Sequence, residues 1–495
     1  MSDTEVNSLG VARELERHGL APGDRVVLKA DNSAGYVHTL LALAHCDASI
    51  VLLDHRLTGA ETRRVIDQCD VRWVIADGPD EEDPAGAPRF LLIEDLTDPV
   101  PPSPDAGTGT GPDLSRWRRR TDALIAWSTG STKEPKAIVK SGGAFLTNLE
   151  RTLAHMGYRD DDVLLPLLPF SHQYGLSLVF LAHLAGASLL VTPYRRIDLS
   201  LAAAAAHGAT VVDATPATYR SLLNLAERNP RLLECLRDVR LWCTGGAPLD
   251  GSLSRRFASV MGAPLLDGYG STELGNVSFA TPDNPSGCGR TLDGIEVRVA
   301  GETGPQNTGG TGVLGGPGGP GGIDLDAAGT ADDGFGEIWV RSPDVMVGYL
   351  DPDGRIQEQT GEWYRTGDLG YLSDTGDLYV IGRSQAVHRM GHLIYPEALA
   401  AKAGACGRQV VVVPVDDERW GSRLVFVVVD PDGGDPQEWK RTFCSMLPSF
   451  EHPNQVVVVS DLPLNRNGKV DVKQLRLQNE HPVTVGDLAR SGARL

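Results

Sequence analysis

The chain carries the stretch Ser128-Thr-Gly-Ser-Thr-Lys-Glu-Pro-Lys-Ala137 between the apolar run 122–127 and the apolar pair Ile138-Val139. Both apolar segments are typical of buried strands, so the stretch predicts a loop between two strands. Its hydroxyl groups and backbone N–H groups can bind an anion, and Lys136 adds a positive charge. The spacing is not that of the Walker phosphate loop, and such a turn by itself is more often a plain hairpin.

Composition limits the class of protein. The 495 residues predict two or three lobes, and 41% apolar with 22% charged residues is typical of a globular protein with a sizeable core. A net charge of −19 argues against nucleic acid or an anionic membrane as the main partner. The first residues lack the pattern of an export signal, and the longest apolar stretch, 176–191, is too short to span a bilayer comfortably. We therefore expect a cytoplasmic protein.

The seven cysteines are scattered and form no CxxC pair. This pattern favours reduced thiols and predicts neither a zinc site nor a disulfide framework.

Helix-like and strand-like segments alternate along 8–98, which predicts a parallel α/β sheet. The same alternation recurs over 199–219 and again over the last hundred residues, where it predicts a separate, compact α+β lobe. Residues 301–334 are almost all Gly, Pro, Thr, Asp and Ala, and this composition cannot bury a core. We expect a flexible insertion there.

Several further short motifs follow in a fixed order. They are Leu164-Leu-Pro-Leu-Leu-Pro-Phe-Ser-His-Gln-Tyr-Gly-Leu176, Thr244-Gly-Gly-Ala-Pro248, Gly268-Tyr-Gly-Ser-Thr-Glu273, Tyr364-Arg-Thr-Gly-Asp368, Ile381-Gly-Arg383 and Asn465-Arg-Asn-Gly-Lys469. Each alone could be an ordinary turn. Together with the loop at 128–137 they resemble the adenylate-forming (ANL) superfamily, in its acyl-CoA synthetase branch, over about residues 8–480. In the loop, Lys133 and Ala137 stand where that family usually has Gly, and the altered loop also resembles, loosely, that of diterpenoid-acid CoA synthetases of platensimycin-type biosynthesis.

The resemblance implies an α/β fold with two domains. Residues 1–384 would form a large N-terminal domain of layered α/β sheets, and 385–495 a small mobile α+β C-terminal domain. In this family, ATP and a carboxylic acid give an acyl-adenylate, and CoA then attacks the adenylate. ATP or acyl-adenylate, Mg²⁺ and CoA are therefore the expected ligands, with no nucleic acid and no membrane as partner.

The resemblance also implies roles for individual residues. Thr272, Glu273, His172 and Lys469 are the expected catalytic residues; Tyr269 would face adenine, Thr272 would contact the α-phosphate, and Glu273 would bind Mg²⁺. Asp368 would accept the ribose hydroxyls, Gln385 would lie at the hinge, and Gly391 would let pantetheine pass. The expected nucleotide-binding residues are Ser128, Thr129, Gly130, Ser131, Thr132, Lys136, Gly245, Gly246, Ala247, Gly268, Tyr269, Gly270, Asp368 and Arg383.

The acid is expected to lack an α-amino group. His172 matches a histidine of acyl- and aryl-CoA ligases, whereas peptide-synthetase domains place an Asp in this segment to bind the substrate ammonium. A histidine that caps a helix is the alternative interpretation of His172. Glycines at 245, 246, 270 and 275 suggest room for a bulky group.

Three functions stay open at this point. The first is an acyl-CoA synthetase, the second a free-standing enzyme that loads a carrier protein, and the third a catalytically silent nucleotide-binding protein. Because Lys133 and Ala137 replace loop glycines and Gln385 replaces a charged hinge residue, we expect ATP-dependent adenylation to be weak or lost, with a separate enzyme supplying the adenylate in the latter case. The alternative is that Lys133 adds a cation for pyrophosphate.

Overall fold

A computed structural model describes residues 3–78, 88–97, 111–127, 136–228, 236–249, 251–300, 336–383, 387–389, 392–417, 421–465 and 469–480. The chain folds into two compact units. The first unit comprises 1–246, 263–296 and 340–364, and the second comprises 247–262, 297–339 and 365–495. The predicted domain boundary between 384 and 385 stays a prediction, and the insertion 301–334 lies outside the described ranges.

Helices and strands are numbered in chain order. The helices are α1 (Asp3–Arg17), α2 (Ala34–His45), α3 (Gly59–Cys69), α4 (Ile93–Thr97), α5 (Ser115–Arg119), α6 (Gly142–Met156), α7 (Gln173–Ala185), α8 (Ile197–His207), α9 (Pro216–Arg228), α10 (Gly251–Met261), α11 (Pro396–Ala403), α12 (Pro436–Met446) and α13 (Val472–Glu480). The first strands are β1 (Arg25–Lys29), β2 (Ser49–Leu53), β3 (Trp73–Ala76), β4 (Arg89–Leu92), β5 (Leu124–Trp127), β6 (Ala137–Lys140), β7 (Val163–Pro166), β8 (Ser188–Leu189), β9 (Val211–Ala214), β10 (Leu241–Gly245), β11 (Leu266–Ser271), β12 (Gly275–Phe279) and β13 (Arg290–Thr291). The remaining strands are β14 (Glu296–Ala300), β15 (Gly336–Arg341), β16 (Gly348–Leu350), β17 (Ile356–Glu358), β18 (Tyr364–Leu372), β19 (Leu378–Arg383), β20 (Val387–Arg389), β21 (His392–Ile394), β22 (Val410–Asp417), β23 (Gly421–Val429) and β24 (Gln455–Val459).

The first sheet has the order β17-β16-β6-β5-β2-β1-β3-β4. β1 pairs in parallel with β2 and β3, and β2 pairs in parallel with β5. Every residue of β2 is buried, as expected of a parallel strand covered on both faces. The parallel sheet predicted from 8–98 is therefore present. β5 and β6 are antiparallel neighbours, so residues 128–136 connect two paired strands.

The second sheet has the order β13-β12-β11-β10-β9-β7-β8. β8, β7, β9, β10 and β11 are parallel, and β12 and β13 add antiparallel strands at one edge. Buried aromatic rings join α5, α6 and α7: Phe180 stacks on Trp117 at 5.5 Å and meets Phe145 edge-on at 5.2 Å. This apolar cluster fixes α7, which carries part of the site, against α6.

The second unit holds a four-stranded sheet, β14-β15-β18-β19, a hairpin, β20-β21, and a three-stranded sheet, β22-β23-β24. Its C-terminal core gathers apolar side chains from α11, β22, β23 and α12, among them Leu399, Val412, Phe426 and Phe443. Helices and strands alternate there as the sequence predicts.

Candidate active site

Both sheets of the first unit reverse their strand order at one strand. β2 and β3 flank β1 in the first sheet, and β8 and β9 flank β7 in the second. Open parallel sheets bind ligands at the carboxyl ends of such strands. The amide of Asn32, just after β1, donates to the carbonyl of Leu168 and accepts from the N–H of Phe170, both at 2.8 Å. The carboxyl ends of β1 and β7 therefore lie side by side, and they mark the candidate site.

His172 lies at the amino end of α7, but its side chain makes no capping hydrogen bond to the helix. Its Nε2 lies 3.6 Å from Oδ2 of Asp54, the residue after β2. Arg56 donates to both carboxylate oxygens of Asp54, at 2.9 and 2.7 Å. Burial by itself raises the pKa of Asp54, but the interactions with His172 and Arg56 outweigh burial and hold the pKa of this carboxyl well below its usual range. Asp54 is therefore a fixed negative charge beside His172.

Tyr174 contacts the glycine that ends β10. A Cβ at Gly245 would lie 3.3 Å from Cε1 of the Tyr174 ring and 3.1 Å from the carbonyl oxygen of Gly268. The nucleotide-binding role of Gly245 stays a prediction, and the structure shows that the ring of Tyr174 packs against this glycine. The Tyr174 hydroxyl donates to Oδ1 of Asp213, in β9, at 2.9 Å.

Asp213 makes the stability of the protein depend on pH. Burial raises the pKa of this carboxyl from 3.8 to about 7, against the hydrogen bond from Tyr174. Because the folded state holds the proton more tightly, this stabilisation is complete below the unfolded pKa and is lost as the pH rises through about 7. Asp213→Asn removes the titration, so its free energy of unfolding relative to the parent should improve by roughly 2 kcal/mol between about pH 5 and pH 8. Urea unfolding at both pH values measures this difference, and an equal difference at both would contradict the titration.

Two further motif glycines have structural reasons of their own. Gly246 has φ of +78°, in the left-handed region that favours glycine. A Cβ at Gly268 would lie 2.4 Å from the ring of Phe279. Ala247, the next residue in the motif, belongs to the second unit.

β11 and β12 form the hairpin that presents Thr272 and Glu273. The register shifts between Tyr269 and Gly270, so the strand bulges directly before these two residues. A Cβ at Gly270 would lie 2.4 Å from the carbonyl oxygen of Gly275. Gly270 is explained by the close approach of two backbones, and it gives no evidence of room for a bulky acid. Tyr269, the expected adenine contact, is only 8% exposed.

A buried lysine, which the sequence motifs do not include, contacts the Thr272–Glu273 turn. Lys140 is 2% exposed, and its Nζ lies 3.5 Å from the carbonyl oxygen of Thr272. Burial lowers the pKa of Lys140 to about 8, against the attraction of Asp344 and Glu273. Lys140 therefore carries a positive charge at neutral pH beside the residues expected to contact phosphate.

The loop lysine Lys136 and Glu273 contact the same tyrosine. Nζ of Lys136 lies 4.6 Å from the centroid of the Tyr349 ring. The Tyr349 hydroxyl donates to Oε1 of Glu273 at 3.3 Å and shares a hydrogen bond with the Tyr364 hydroxyl at 3.0 Å. The predicted phosphate-binding residues Ser128, Thr129, Gly130, Ser131 and Thr132 lie outside the described residues, as does Lys133.

Ala137 belongs to the core of the first sheet. It is 1% exposed and pairs with Trp127 on one side and Leu350 on the other. Its methyl group packs with buried side chains of that sheet. The interpretation of Ala137 as a change within the phosphate loop is therefore corrected, and Lys133 is left as the substitution in the loop itself.

Asp368 and Arg383 face each other in the second unit. They are register partners in β18 and β19, with Nε of Arg383 3.3 Å from Oδ1 of Asp368. The Asp368 N–H donates to the Thr366 hydroxyl at 3.0 Å. The predicted ribose-binding carboxylate is thus held in place by its neighbours and keeps an accessible face, since the side chain is 15% exposed.

Replacing Asp368 with Ala should weaken the binding of an acyl-adenylate analogue by roughly 10- to 100-fold, because one or two hydrogen bonds to a charged acceptor are lost. Asp374→Ala, an exposed aspartate in the turn after β18, serves as the control and should bind normally. Calorimetric titration measures both variants. Equal affinity of Asp368→Ala and the parent would remove Asp368 from the site.

Lys469 closes a loop in the second unit. Its N–H donates to the side-chain oxygen of Asn465 at 3.1 Å, and its carbonyl accepts from the Asn465 N–H at 2.7 Å. Residues 466–468 lie outside the described ranges, and so do Gln385 and Gly391. Their expected roles stay predictions.

Two protein-family models match this chain. The model of the AMP-binding enzymes matches residues 2–350, more than half of the sequence, and the model of the AMP-binding enzyme C-terminal domain matches 406–469. The chain belongs to the AMP-binding enzyme family. Membership confirms the resemblance to adenylate-forming acyl-CoA synthetases and the expected ligase chemistry, and it makes a catalytically silent protein the less favoured interpretation.

Similar proteins within this family are CoA ligases. The chain is 26% identical to 2-succinylbenzoate–CoA ligase of Bacillus cereus over 94% of this chain and 91% of that protein. It is 28% identical to indoleacetate–CoA ligase of Aromatoleum aromaticum, with the same coverage. It is also 28% identical, with the same coverage, to a Mycobacterium tuberculosis CoA ligase for a methyl-dioxo-octahydroindenyl propanoate.

Solved structures of the family confirm the fold. ATP-bound MatB of Rhodopseudomonas palustris matches with a TM-score of 0.78 at 24% identity, covering 97% of this chain and 93% of that one. o-Succinylbenzoate CoA synthetase of Bacillus subtilis, in complex with its acyl-adenylate, matches with a TM-score of 0.75 at 20% identity, covering 96% and 92%. A large layered α/β part and a smaller C-terminal part are thus both as predicted.

Two further findings concern metal and membrane. Within the ranges that the structure describes, no three His, Cys, Asp or Glu side chains are grouped to hold a metal ion. None of the described helices has the length and apolar character needed to cross a bilayer.

Proposed function

We propose that this protein transfers the acyl group of an acyl-adenylate to CoA, and that it makes the adenylate from ATP slowly or not at all. The main support is a contrast between two parts of the expected nucleotide site. The Thr272–Glu273 turn is held by Lys140 and Tyr349, whereas the phosphate loop has Lys133 where the family usually has Gly.

The residues that an acyl-adenylate needs are retained. The Thr272 hydroxyl contacts the α-phosphate, and the buried Lys140 ammonium adds a favourable field there. Asp368 accepts the ribose hydroxyls beside Arg383. An acyl-adenylate has no β- or γ-phosphate, so its binding does not depend on a complete phosphate loop.

The acid is a ring-bearing carboxylic acid without an α-amino group. Asp54, the carboxylate beside His172, is paired through both oxygens with Arg56, so its charge is balanced by the protein and not by a substrate ammonium. The segment leading to His172 is apolar and buried at Leu167, Leu168 and Phe170. Three of the similar ligases bear the names of ring-bearing acids, which supports the same class here.

The β- and γ-phosphates of ATP are the part of the ligand that this protein binds poorly. A phosphate loop needs inward N–H groups, and a side chain at a glycine position intrudes on them. Loss of each such hydrogen bond to phosphate costs about 1.5–3 kcal/mol, so adenylation slows by orders of magnitude. Adenylation is then either slow or absent, and where it is absent a separate enzyme supplies the adenylate.

Glu273 suits Mg²⁺, since this ion is commonly held by one carboxylate and by substrate phosphate oxygens. Glu273 would hold the ion through its carboxylate, one oxygen of which, Oε1, accepts from Tyr349. When bound, Mg²⁺ would neutralise phosphate charge. The buried Lys140, which Glu273 attracts, adds a protein cation to the same turn.

The residues of the second unit serve the change between the two half-reactions. Lys469 supplies a mobile positive charge in adenylation, Gln385 is the hinge without a charge, and Gly391 lets pantetheine pass close to the backbone. These roles follow from the family resemblance.

The acceptor decides between this function and the loading of a carrier protein. Benzoyl-, indoleacetyl- and a polycyclic propanoyl-adenylate are offered separately with CoA and with a purified pantetheinylated carrier protein. We expect acyl-CoA to form at least about tenfold faster than acyl-carrier, because CoA ligation is the chemistry of the similar proteins. Acylation of the carrier alone would support the alternative, and binding without turnover would indicate a silent adenylate-binding protein.

A further inference from the structure

Asp54 and His172 join the carboxyl ends of the two sheets. Asp54 follows β2 of the first sheet, and His172 starts α7 after β7 of the second. The Asp54 side chain is 7% exposed and that of His172 is 25% exposed. The family resemblance names His172 but assigns nothing to Asp54.

The geometry defines which nitrogen of His172 bears the proton. Nε2 is buried and makes no hydrogen bond among the described residues, and Oδ2 of Asp54 lies 3.6 Å from it, within ion-pair distance. Arg56 binds both oxygens of Asp54 and prevents the carboxylate from turning away. A ring N–H facing a carboxylate keeps its proton on that nitrogen. Neutral His172 therefore carries its proton on Nε2 and a lone pair on Nδ1.

We propose that Asp54 is a positioning residue for thioester formation, which holds His172 as the tautomer whose Nδ1 accepts the proton of the CoA thiol and whose imidazolium the Asp54 charge then stabilises. The proposal rests on the proposed function. In this step the CoA sulfur forms a bond to the acyl carbon, and the bond from the acyl carbon to the phosphate oxygen breaks. The electron pair leaves with AMP, and the thiol proton passes to Nδ1.

Other charged and titratable groups lie near Asp54 and Arg56. Besides His172 they include His55, Asp31 and Tyr194, and Arg195 acts on Tyr194. His55 lies 3.7 Å from Asp54 and 3.9 Å from Asp31, measured from its Nδ1. Asp31→Asn is therefore a matched control, because it removes a carboxylate from the same edge without touching His172.

The kinetic test uses whichever adenylate of the panel the parent converts fastest, with CoA, between about pH 5 and pH 8. The parent rate should fall on the acid side, where the base becomes protonated. Asp54→Asn should lower the plateau roughly tenfold and move the acid limb to lower pH, because loss of a nearby negative charge disfavours the imidazolium. Asp31→Asn should leave the limb in place.

A double-mutant cycle separates positioning from general damage. His172→Gln should lower the rate of thioester formation roughly 100-fold and abolish the acid limb of the pH–rate profile. In the His172→Gln background, Asp54→Asn should lower the rate by less than about twofold, because its effect passes through His172. An unmoved limb in Asp54→Asn, or an equal cost in both backgrounds, would overturn the proposal.

Nitrogen NMR of the ¹⁵N-histidine-labelled full chain reads the tautomer without turnover, with His172 assigned by its absence in His172→Gln. The parent should show the Nε2-protonated ring. Asp54→Asn, which keeps an acceptor, should retain this signature, and Asp54→Leu should lose it. The same tautomer in Asp54→Leu would refute the pairing, whereas a parent that turns over no adenylate but shows the signature would count against the proposed function instead.

Discussion

Replacing Lys133 with Gly is expected to raise ATP-dependent adenylate formation by roughly 10- to 100-fold, the equivalent of one or two recovered hydrogen bonds to phosphate. Glycine permits positive φ and close approach of the backbone, both of which a lysine side chain opposes in a phosphate-binding turn. Pyrophosphate release with ATP and an acid of the panel, in the absence of CoA, measures this half-reaction alone. Thioester formation from preformed adenylate should not change.

Ala137→Gly is the matched control for this loop. Because the Ala137 methyl packs in the core of the first sheet, its removal should not raise adenylation, and it should cost about 1 kcal/mol of stability. A gain from Ala137→Gly and none from Lys133→Gly would reverse the assignment of the altered position.

Replacing Gly391 with Trp should slow thioester formation by roughly 100-fold or more, because an indole would occupy the path expected for pantetheine and misplace the thiol. Binding of an acyl-adenylate analogue should stay normal. Timed assays with preformed adenylate and CoA measure the rate of thioester formation, and calorimetry measures the affinity for the adenylate analogue.

Gly404→Trp is the control for bulk in the same unit, since a Cβ there would meet no atom within 4 Å. This variant should form the thioester and bind the adenylate analogue about as well as the parent. Normal thioester formation by Gly391→Trp would show that pantetheine does not pass this residue.

The strands near the site could be predicted from the sequence because buried parallel strands are continuous apolar runs. Arg25–Lys29 and Ser49–Leu53 are parallel strands within 8–98, where the alternation predicts a parallel sheet. Pro216 begins a helix within 199–219, where the alternation recurs, and proline is favoured in the first helical turn.

The polar residues that support the site could not be found in this way. Asp54, Lys140 and Asp213 contact partners that are far away in sequence, and no motif joins them to those partners. One signal was available: a charged residue at the end of an apolar strand, or within it, is costly to bury unless it has a partner. Lys140 and Asp213 both lie in such strands.

The supporting polar residues were missed, whereas two glycines were given a meaning that the structure does not support. Gly270 and Gly275 suggested space for a large acid, but the structure explains them by the packing of a hairpin against itself and against Asn148. A small residue indicates close approach, and only the structure shows whether backbone, side chain or ligand approaches.

The most direct test compares two routes to the same acyl-CoA with one acid of the panel. One reaction contains the acid, ATP, Mg²⁺ and CoA, and the other contains the preformed acyl-adenylate and CoA. The proposal predicts rapid product from the adenylate and slow product, or none, from ATP, with a difference of at least about 100-fold. Equally rapid product from both mixtures would contradict it.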